Sequence, residues 1–226
     1  MLDSLSAVLI GAAALVLGAV PSHAAHSVTI APGVEMPVVN MGGLVNSTEA
    51  GPGNYTLFLE LGGRGLDTAI DYGTLTETTL GQAVAASGLK REEIFITSKI
   101  ICCPARYFPD IPECHPDKGY ANLTAEEQVV QILHEIDVDY VDLLLLHAPC
   151  LNESRTLNFY GVLEKALAEN KTRAIGVSNF KIYDYETLER GGATVKPAVN
   201  QAQLSIGAHD FDTIKYSREH NITYEG

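Results

Sequence analysis

In the stretch GGRGLDTAIDYG, residues 62–73, an aspartate and a tyrosine stand five positions apart at the end of an apolar run. Near glycines such a pair commonly closes a strand and begins a turn. Further along, other polar residues end apolar runs in the same way. Lys99 closes FITSK, His147 closes DLLLLH, Ser178 and Asn179 follow TRAIGV, and Gln201 sits in PAVNQAQL. Asp67, Tyr72, Lys99 and His147 offer a carboxylate, a phenol, an ammonium and an imidazole, groups able to give or take protons. Taken singly, each has a bland reading. Asp67 can be a turn residue, Lys99 a strand end with its stem on apolar surface, His147 a hydrogen-bonded core histidine, and the others strand-end caps. Their joint occurrence at successive strand ends points to a site.

The elements that must position these residues alternate regularly. Short apolar runs with branched side chains, RGLDTAI, EIFITSKI, VDLLLLHAP, TRAIGVSNF and PAVNQAQLSI, have the length of buried strands. Between them lie amphipathic segments, TETTLGQAVAASG, TAEEQVVQILHEI, NFYGVLEKALAEN, IYDYETLERGG and DFDTIKYSREH. The second opens with Thr124 and has Glu127 three positions later, a capping box, and the fourth stops at Gly191-Gly192. Upstream, SVTIAPGVEMPVV reads as a hairpin turning at Pro-Gly. Strand–helix alternation implies a parallel α/β sheet, either doubly wound or closed as a barrel. Polar residues at the ends of the runs favour the barrel, whose strand ends converge on one mouth. No glycine-rich dinucleotide fingerprint follows the first strand, which counts against the doubly wound sheet.

A chain of 226 residues can bury a sizeable core, and 46% hydrophobic with 19% charged residues is a globular composition. The net charge of −13 comes with no basic run, which argues against nucleic acid and against an anionic membrane surface as partners. The first residues differ: an apolar run from Ser6 to Val20 precedes Pro21 and the small-residue site Ser22-His23-Ala24. Residues 1–24 are therefore expected to be a secretory signal peptide, cleaved after Ala24 or Ala25, and residues 25–226 one partial barrel domain. An uncleaved anchor is the rival, but the run is shorter than the ~20 residues of a bilayer span, so no stable span is expected after cleavage. Sequons at Asn46, Asn54, Asn122, Asn152, Asn170 and Asn221, with four cysteines, agree with a glycoprotein of the secretory pathway, lumenal or extracellular.

The motifs GGRGLDTAIDYG, EIFITSK, VDYVDLLLLHAP, TRAIGVSNF and KPAVNQAQL, in this order, resemble the aldo-keto reductase family from about Ser27 to the last residue. The resemblance implies a TIM-type (β/α)8 barrel that binds NADPH, with NADH as the other possible nicotinamide. It implies reduction of an aldehyde or ketone to an alcohol by hydride transfer, with a catalytic tetrad of Asp67, Tyr72, Lys99 and His147. In that reading Tyr72 is the general acid on the carbonyl oxygen, and Lys99 lowers the phenol from its usual pKa of about 10. Asp67 keeps Lys99 charged, and His147 binds the substrate by donating to its oxygen. Asp67, Ser178, Asn179 and Gln201 fall at cofactor-binding positions, the last three where the family holds the nicotinamide carboxamide. A monomer acting on a small carbonyl compound is expected.

Departures from the family pattern carry further expectations. The chain ends HNITYEG, where the family continues into an aromatic, an eighth strand and a basic segment for the 2′-phosphate. The barrel is therefore expected to be C-terminally incomplete, with about six to seven of the eight strands that the fold has. Ala148 stands where many members carry an aromatic, and the chain has no Trp, so an altered substrate pocket is expected. In ICCPARYFPDIPECHPDKGY, Cys102 lies three residues past Lys99, and Cys150 lies three past His147. If these strands are neighbours, Cys102 or Cys103 can pair with Cys150, Cys114 taking the other. A zinc site using Cys102, Cys103, Cys114, His115 or Cys150 competes, but the spacing matches no usual ligand pattern and no metal is expected. The alternative to an enzyme is a non-catalytic barrel remnant serving as a binding or regulatory module. A hydrolase would need paired strand-end acids, and the runs supply only Asp67.

Overall fold

The computed structural model describes residues 26–43, 52–107, 114 and 119–226; the expected signal peptide and the sequon at Asn46 lie outside these residues. Strands β1 (Ser27–Ala31) and β2 (Val34–Pro37) form the expected antiparallel hairpin, turning at Gly33 with φ +73°. Arg173 donates to the Gly33 carbonyl at 2.8 Å, which sets the hairpin at the amino-terminal end of the main sheet.

That sheet has seven parallel strands among the described residues, hydrogen-bonded in chain order. They are β3 (Asn40–Gly42), β4 (Gly65–Asp67), β5 (Phe95–Ile100), β6 (Val141–Leu146), β7 (Thr172–Ser178), β8 (Val199–Gln201) and β9 (Thr223–Glu225). Helices α1 (Pro52–Glu60), α2 (Thr74–Ala86), α3 (Ala125–Ile136), α4 (Glu153–Ala168), α5 (Ile182–Arg190) and α6 (Phe211–Glu219) fill the crossovers. A doubly wound sheet reverses its strand order at a switch point, whereas an order that never reverses is the path of a barrel. The order β3 to β9 is therefore seven strands of a TIM-type barrel.

The uninterrupted apolar runs follow from two-sided burial. Leu143 and Leu145 of β6 join Phe95, Ala174 and Val199 in an inner cluster that the hairpin residues Val34 and Met36 cover. Leu144 and Leu146 join the outer cluster with Ile132, Ile136 and Leu163 of the helices. The two-residue period of a strand puts neighbours on opposite faces, and here both faces are apolar. Where α2 meets α3 the helices touch so closely that a Cβ on Gly81 would stand 2.2 Å from the Ile136 carbonyl oxygen.

Three local differences from the sequence-based expectation have plain causes. Strand β3 is only three residues long, too short for a periodic signal. Helix α1 lies outside every amphipathic segment expected, and it begins at Pro52, a residue that suits the first helical position. Helix α4 starts at Glu153 rather than near Asn158, because Asn152 Oδ1 accepts from the Ser154 amide at 2.8 Å and caps a polar first turn. The capping box at Thr124 and Glu127 is formed as expected, with the Thr124 amide donating to Glu127 at 2.8 Å. Among the described residues no helix is long and apolar enough to cross a membrane.

Candidate active site

The carboxyl ends of the strands carry the polar residues singled out above. Asp67 is the last residue of β4, Lys99 lies one residue before the end of β5, and His147 directly follows β6. Ser178 ends β7 and Gln201 ends β8. Tyr72 reaches the same mouth through a single 3-10 turn, Ile70–Tyr72, that begins three residues beyond Asp67. The Tyr72 amide donates to the Ala69 carbonyl at 2.9 Å, and Gly73, at φ +97°, turns the chain from there into α2.

At the centre is Lys99, fully buried, whose Nζ donates to Asp67 Oδ1 at 2.5 Å and to the Thr68 carbonyl at 2.9 Å. The same Nζ stands 5.1 Å from the centre of the Tyr72 ring. Tyr72 meets His147 edge to face with centroids 5.6 Å apart. His147 Nδ1 lies 2.7 Å from Oδ1 of Asp71, a residue the sequence reading did not single out. Asn179, in the left-handed region at φ +58°, donates from Nδ2 to the His147 carbonyl at 2.9 Å and to Ser178 Oγ at 3.0 Å. Gln201 donates from Nε2 to Asp67 Oδ2 at 2.8 Å and to Glu225 Oε2 at 3.1 Å. All seven sequence-predicted residues thus stand in one connected network.

Electrostatics corrects one expectation. Burial pushes the Tyr72 phenol above its usual pKa; Lys99 pulls it down, while Asp67 and Asp71 push it up again. The net direction is upward rather than downward, because burial outweighs Lys99, whose pull Asp67 at contact distance further offsets. Burial would by itself lower the Lys99 ammonium, but Asp67, Tyr72 and Asp71 outweigh it and hold its pKa above the usual value. The pair is therefore a charged lysine beside a protonated phenol.

Glu225, at the end of β9, is a second strand-end acid that the sequence reading did not count. Its Oε1 accepts from Asn40 Nδ2 of β3 at 3.0 Å, a contact between residues 185 positions apart. Burial and then Asp67 hold its pKa above the carboxylate range; the hydrogen bonds from Gln201 and Asn40 and the charge of Lys99 only partly offset this. The folded chain therefore keeps the Glu225 proton to higher pH than the unfolded chain, so its contribution to stability falls as pH rises from the unfolded value through the folded one. Glu225→Gln is expected to raise the thermal midpoint at pH 7 and to leave it unchanged in acid, as followed by circular dichroism. A lower midpoint at pH 7 would refute this account.

Above the mouth, the chain after β5 is tied to the chain after β6. Disulfides join Cys102 to Cys150 and Cys103 to Cys114, which selects one of the two pairings the sequence allowed and leaves none of the four thiols for a metal. Arg106 and Tyr107 then reach α5, donating to the two carboxylate oxygens of Asp184 at 2.9 and 2.6 Å. A cleft of about 450 Å³ opens beside Asn179, lined also by Tyr107, Lys181, Gln203 and Tyr224. It adjoins the tetrad without enclosing it.

Comparison with known proteins follows the same lines. A profile of the Aldo/keto reductase family matches residues 50–224. The chain belongs to this family. An aldo-keto reductase of Mycobacterium tuberculosis is 32% identical over 199 residues, covering 88% of this chain and 64% of that protein. The chain thus spans a little under two thirds of the length of that relative. Among solved structures, the aldo-keto reductase MGS-M4 from a deep-sea metagenome library superposes with a TM-score of 0.74 at 29% identity, over 89% of this chain and 66% of the other. A silkworm aldo-keto reductase solved in complex with NADPH gives a TM-score of 0.72 at 24% identity, over 88% and 61%, a likeness of fold.

Proposed function

We propose that this family member is an NADPH-dependent reductase of aldehydes or ketones with Tyr72 as its general acid. The observation that carries the reading is the placement of a protonated phenol between the buried Lys99 ammonium and the His147 ring. The NADPH bound by the silkworm relative supports the choice of cofactor.

The chain's own residues fit a nicotinamide carboxamide, which offers two N–H donors and one acceptor. Nδ2 of Asn179 and Nε2 of Gln201 already donate within the protein, which leaves each amide oxygen to accept from a ligand. Ser178 Oγ accepts from Asn179 and keeps its own proton to give. Two acceptors and one donor on adjacent strand ends are the complement of that group. The cofactor, when bound, supplies the hydride. As the carbonyl carbon receives it, Tyr72 gives its proton to the oxygen and the product leaves as the alcohol. Lys99 then faces the phenolate left behind, and solvent restores the proton. Asp67, holding Lys99 and Gln201 together, fixes the acid relative to the carboxamide site.

Mixing the purified chain with NADPH and a panel of aldehydes and ketones is expected to give carbonyl-dependent loss of the reduced nicotinamide absorbance. Calorimetry run beside it separates the alternatives. NADPH binding without turnover on any carbonyl would replace the enzyme with a binding module. No binding at all would reject the reading for this chain.

A further inference from the structure

The reductase reading leaves Asp71 without a role, yet Asp71 is buried and makes the hydrogen bond to a ring nitrogen of His147. The groups that face this histidine are few. Tyr72 meets the ring edge to face, Lys99 is bound to Asp67 and stands 5.1 Å from the centre of the Tyr72 ring, and Asn179 donates to the His147 backbone carbonyl. At Nδ1 the partner is the Asp71 carboxylate at 2.7 Å.

An ionised carboxylate has no proton to give, so the proton of this hydrogen bond sits on Nδ1. That fixes what the ring can offer at its other nitrogen. With one proton, held at Nδ1, Nε2 is a lone pair and cannot donate to a carbonyl oxygen. With two protons the ring is an imidazolium, Nε2 is a donor, and Asp71 is its counter-charge. We propose that Asp71 is a positioning residue that holds His147 in its Nδ1-protonated form, so that the ring meets a substrate oxygen through Nε2, as an imidazolium donor to a carbonyl and as a neutral acceptor from an alcohol hydroxyl. Asp71 and Tyr72 share the 3-10 turn Ile70–Tyr72, so one short turn carries both the acid and the anchor of the histidine. The half of this inference that concerns substrate rests on the reductase reading; the half that concerns the ring proton does not.

The test reads the ring directly. Proton–nitrogen correlation spectra of protein carrying nitrogen-labelled histidine, with His147 identified by its loss in His147→Gln, are expected to show His147 protonated at Nδ1. In Asp71→Asn the amide can donate to Nδ1, and the ring is expected to shift its proton to Nε2. The neutral Nε2–H that then faces the carbonyl is a weaker donor than an imidazolium, so Asp71→Asn is also expected to lower kcat for carbonyl reduction by about 10- to 100-fold, with the NADPH KM unchanged. Asp71→Glu, which keeps the charge, is expected to recover part of that loss. A wild-type ring protonated at Nε2 alone would overturn the proposal, as would an Asp71→Asn protein with unchanged spectrum or unchanged kcat. If Asp71→Asn does not fold, the wild-type spectrum still decides. If the wild-type chain reduces no carbonyl, the reductase reading falls while the spectrum still judges the Asp71 pairing.

Discussion

Tyr72→Phe is expected to lower kcat for carbonyl reduction by about 100- to 10,000-fold, the range a general acid contributes, while NADPH binding is retained. The substitution removes the hydroxyl, with its hydrogen bond to Lys99, and keeps the ring. Phenylalanine keeps the ring that meets His147 edge to face and that lies 5.1 Å from Lys99 Nζ. The Lys99–Asp67 ion pair and the Asp67–Gln201 hydrogen bond do not involve the phenol oxygen, so the scaffold around the carboxamide site stays in place. The direction of the Tyr72 pKa matters here. A phenol that burial keeps protonated carries the proton to be given, but its raised pKa makes it a weaker acid, so the step relies on Lys99 to stabilise the phenolate as it forms. Single-turnover reduction with prebound NADPH, set beside calorimetry of the cofactor, separates the chemical step from binding. Activity within a few-fold of wild type would move the acid to another group, Lys99 and His147 being its neighbours.

The sequence carried the barrel because its signals are local and repeated. Runs such as VDLLLLHAP and TRAIGVSNF are apolar on both faces of the strand, and the helices between them are amphipathic, which no open antiparallel sheet would produce. It carried Lys99, His147 and Gln201 for a related reason: a polar side chain ending such a run has nowhere to go except the mouth. Strand β3 left no trace, since Asn40–Gly42 is held by pairing with Gly65–Asp67 and not by its own residues. Asp71 was hidden in plain view beside Tyr72. A turn residue next to a tyrosine reads as a turn residue, and only the tertiary placement of β6 brings His147 within 2.7 Å of it. Glu225 was hidden by distance, because its partners Asn40 and Gln201 come from β3 and β8. The direction of the Tyr72 pKa was misjudged because the sequence shows which charges are near but not how deeply the phenol is buried.

The disulfide between Cys102 and Cys150 is expected to be the larger of the two contributors to stability. Its half-cystines are 48 residues apart, against 11 for Cys103 and Cys114. Loop-closure entropy alone gives about 4 kcal/mol for the long loop and about 3 for the short one. Against a total of roughly 5–15 kcal/mol for a domain, the first is a large fraction. Both half-cystines are also fully buried in the outer core, so truncating them to alanine removes packing as well. Cys102→Ala with Cys150→Ala is therefore expected to lower the unfolding free energy by at least the entropic amount, measured by urea denaturation. The site should tolerate the loss better than the fold does. Lys99 is placed by its pairing opposite Leu145 in the β5–β6 ladder, and the loops remain joined where Arg106 N donates to the Pro149 carbonyl at 2.7 Å and Leu151 N to the Pro104 carbonyl at 3.1 Å. Well below the unfolding midpoint, kcat of the double variant should stay close to that of the wild type. An unchanged urea midpoint would refute the stabilising role. A lost kcat with stability intact would instead assign the bridge to the shape of the mouth, since Cys102 and Cys150 lie three residues beyond Lys99 and His147.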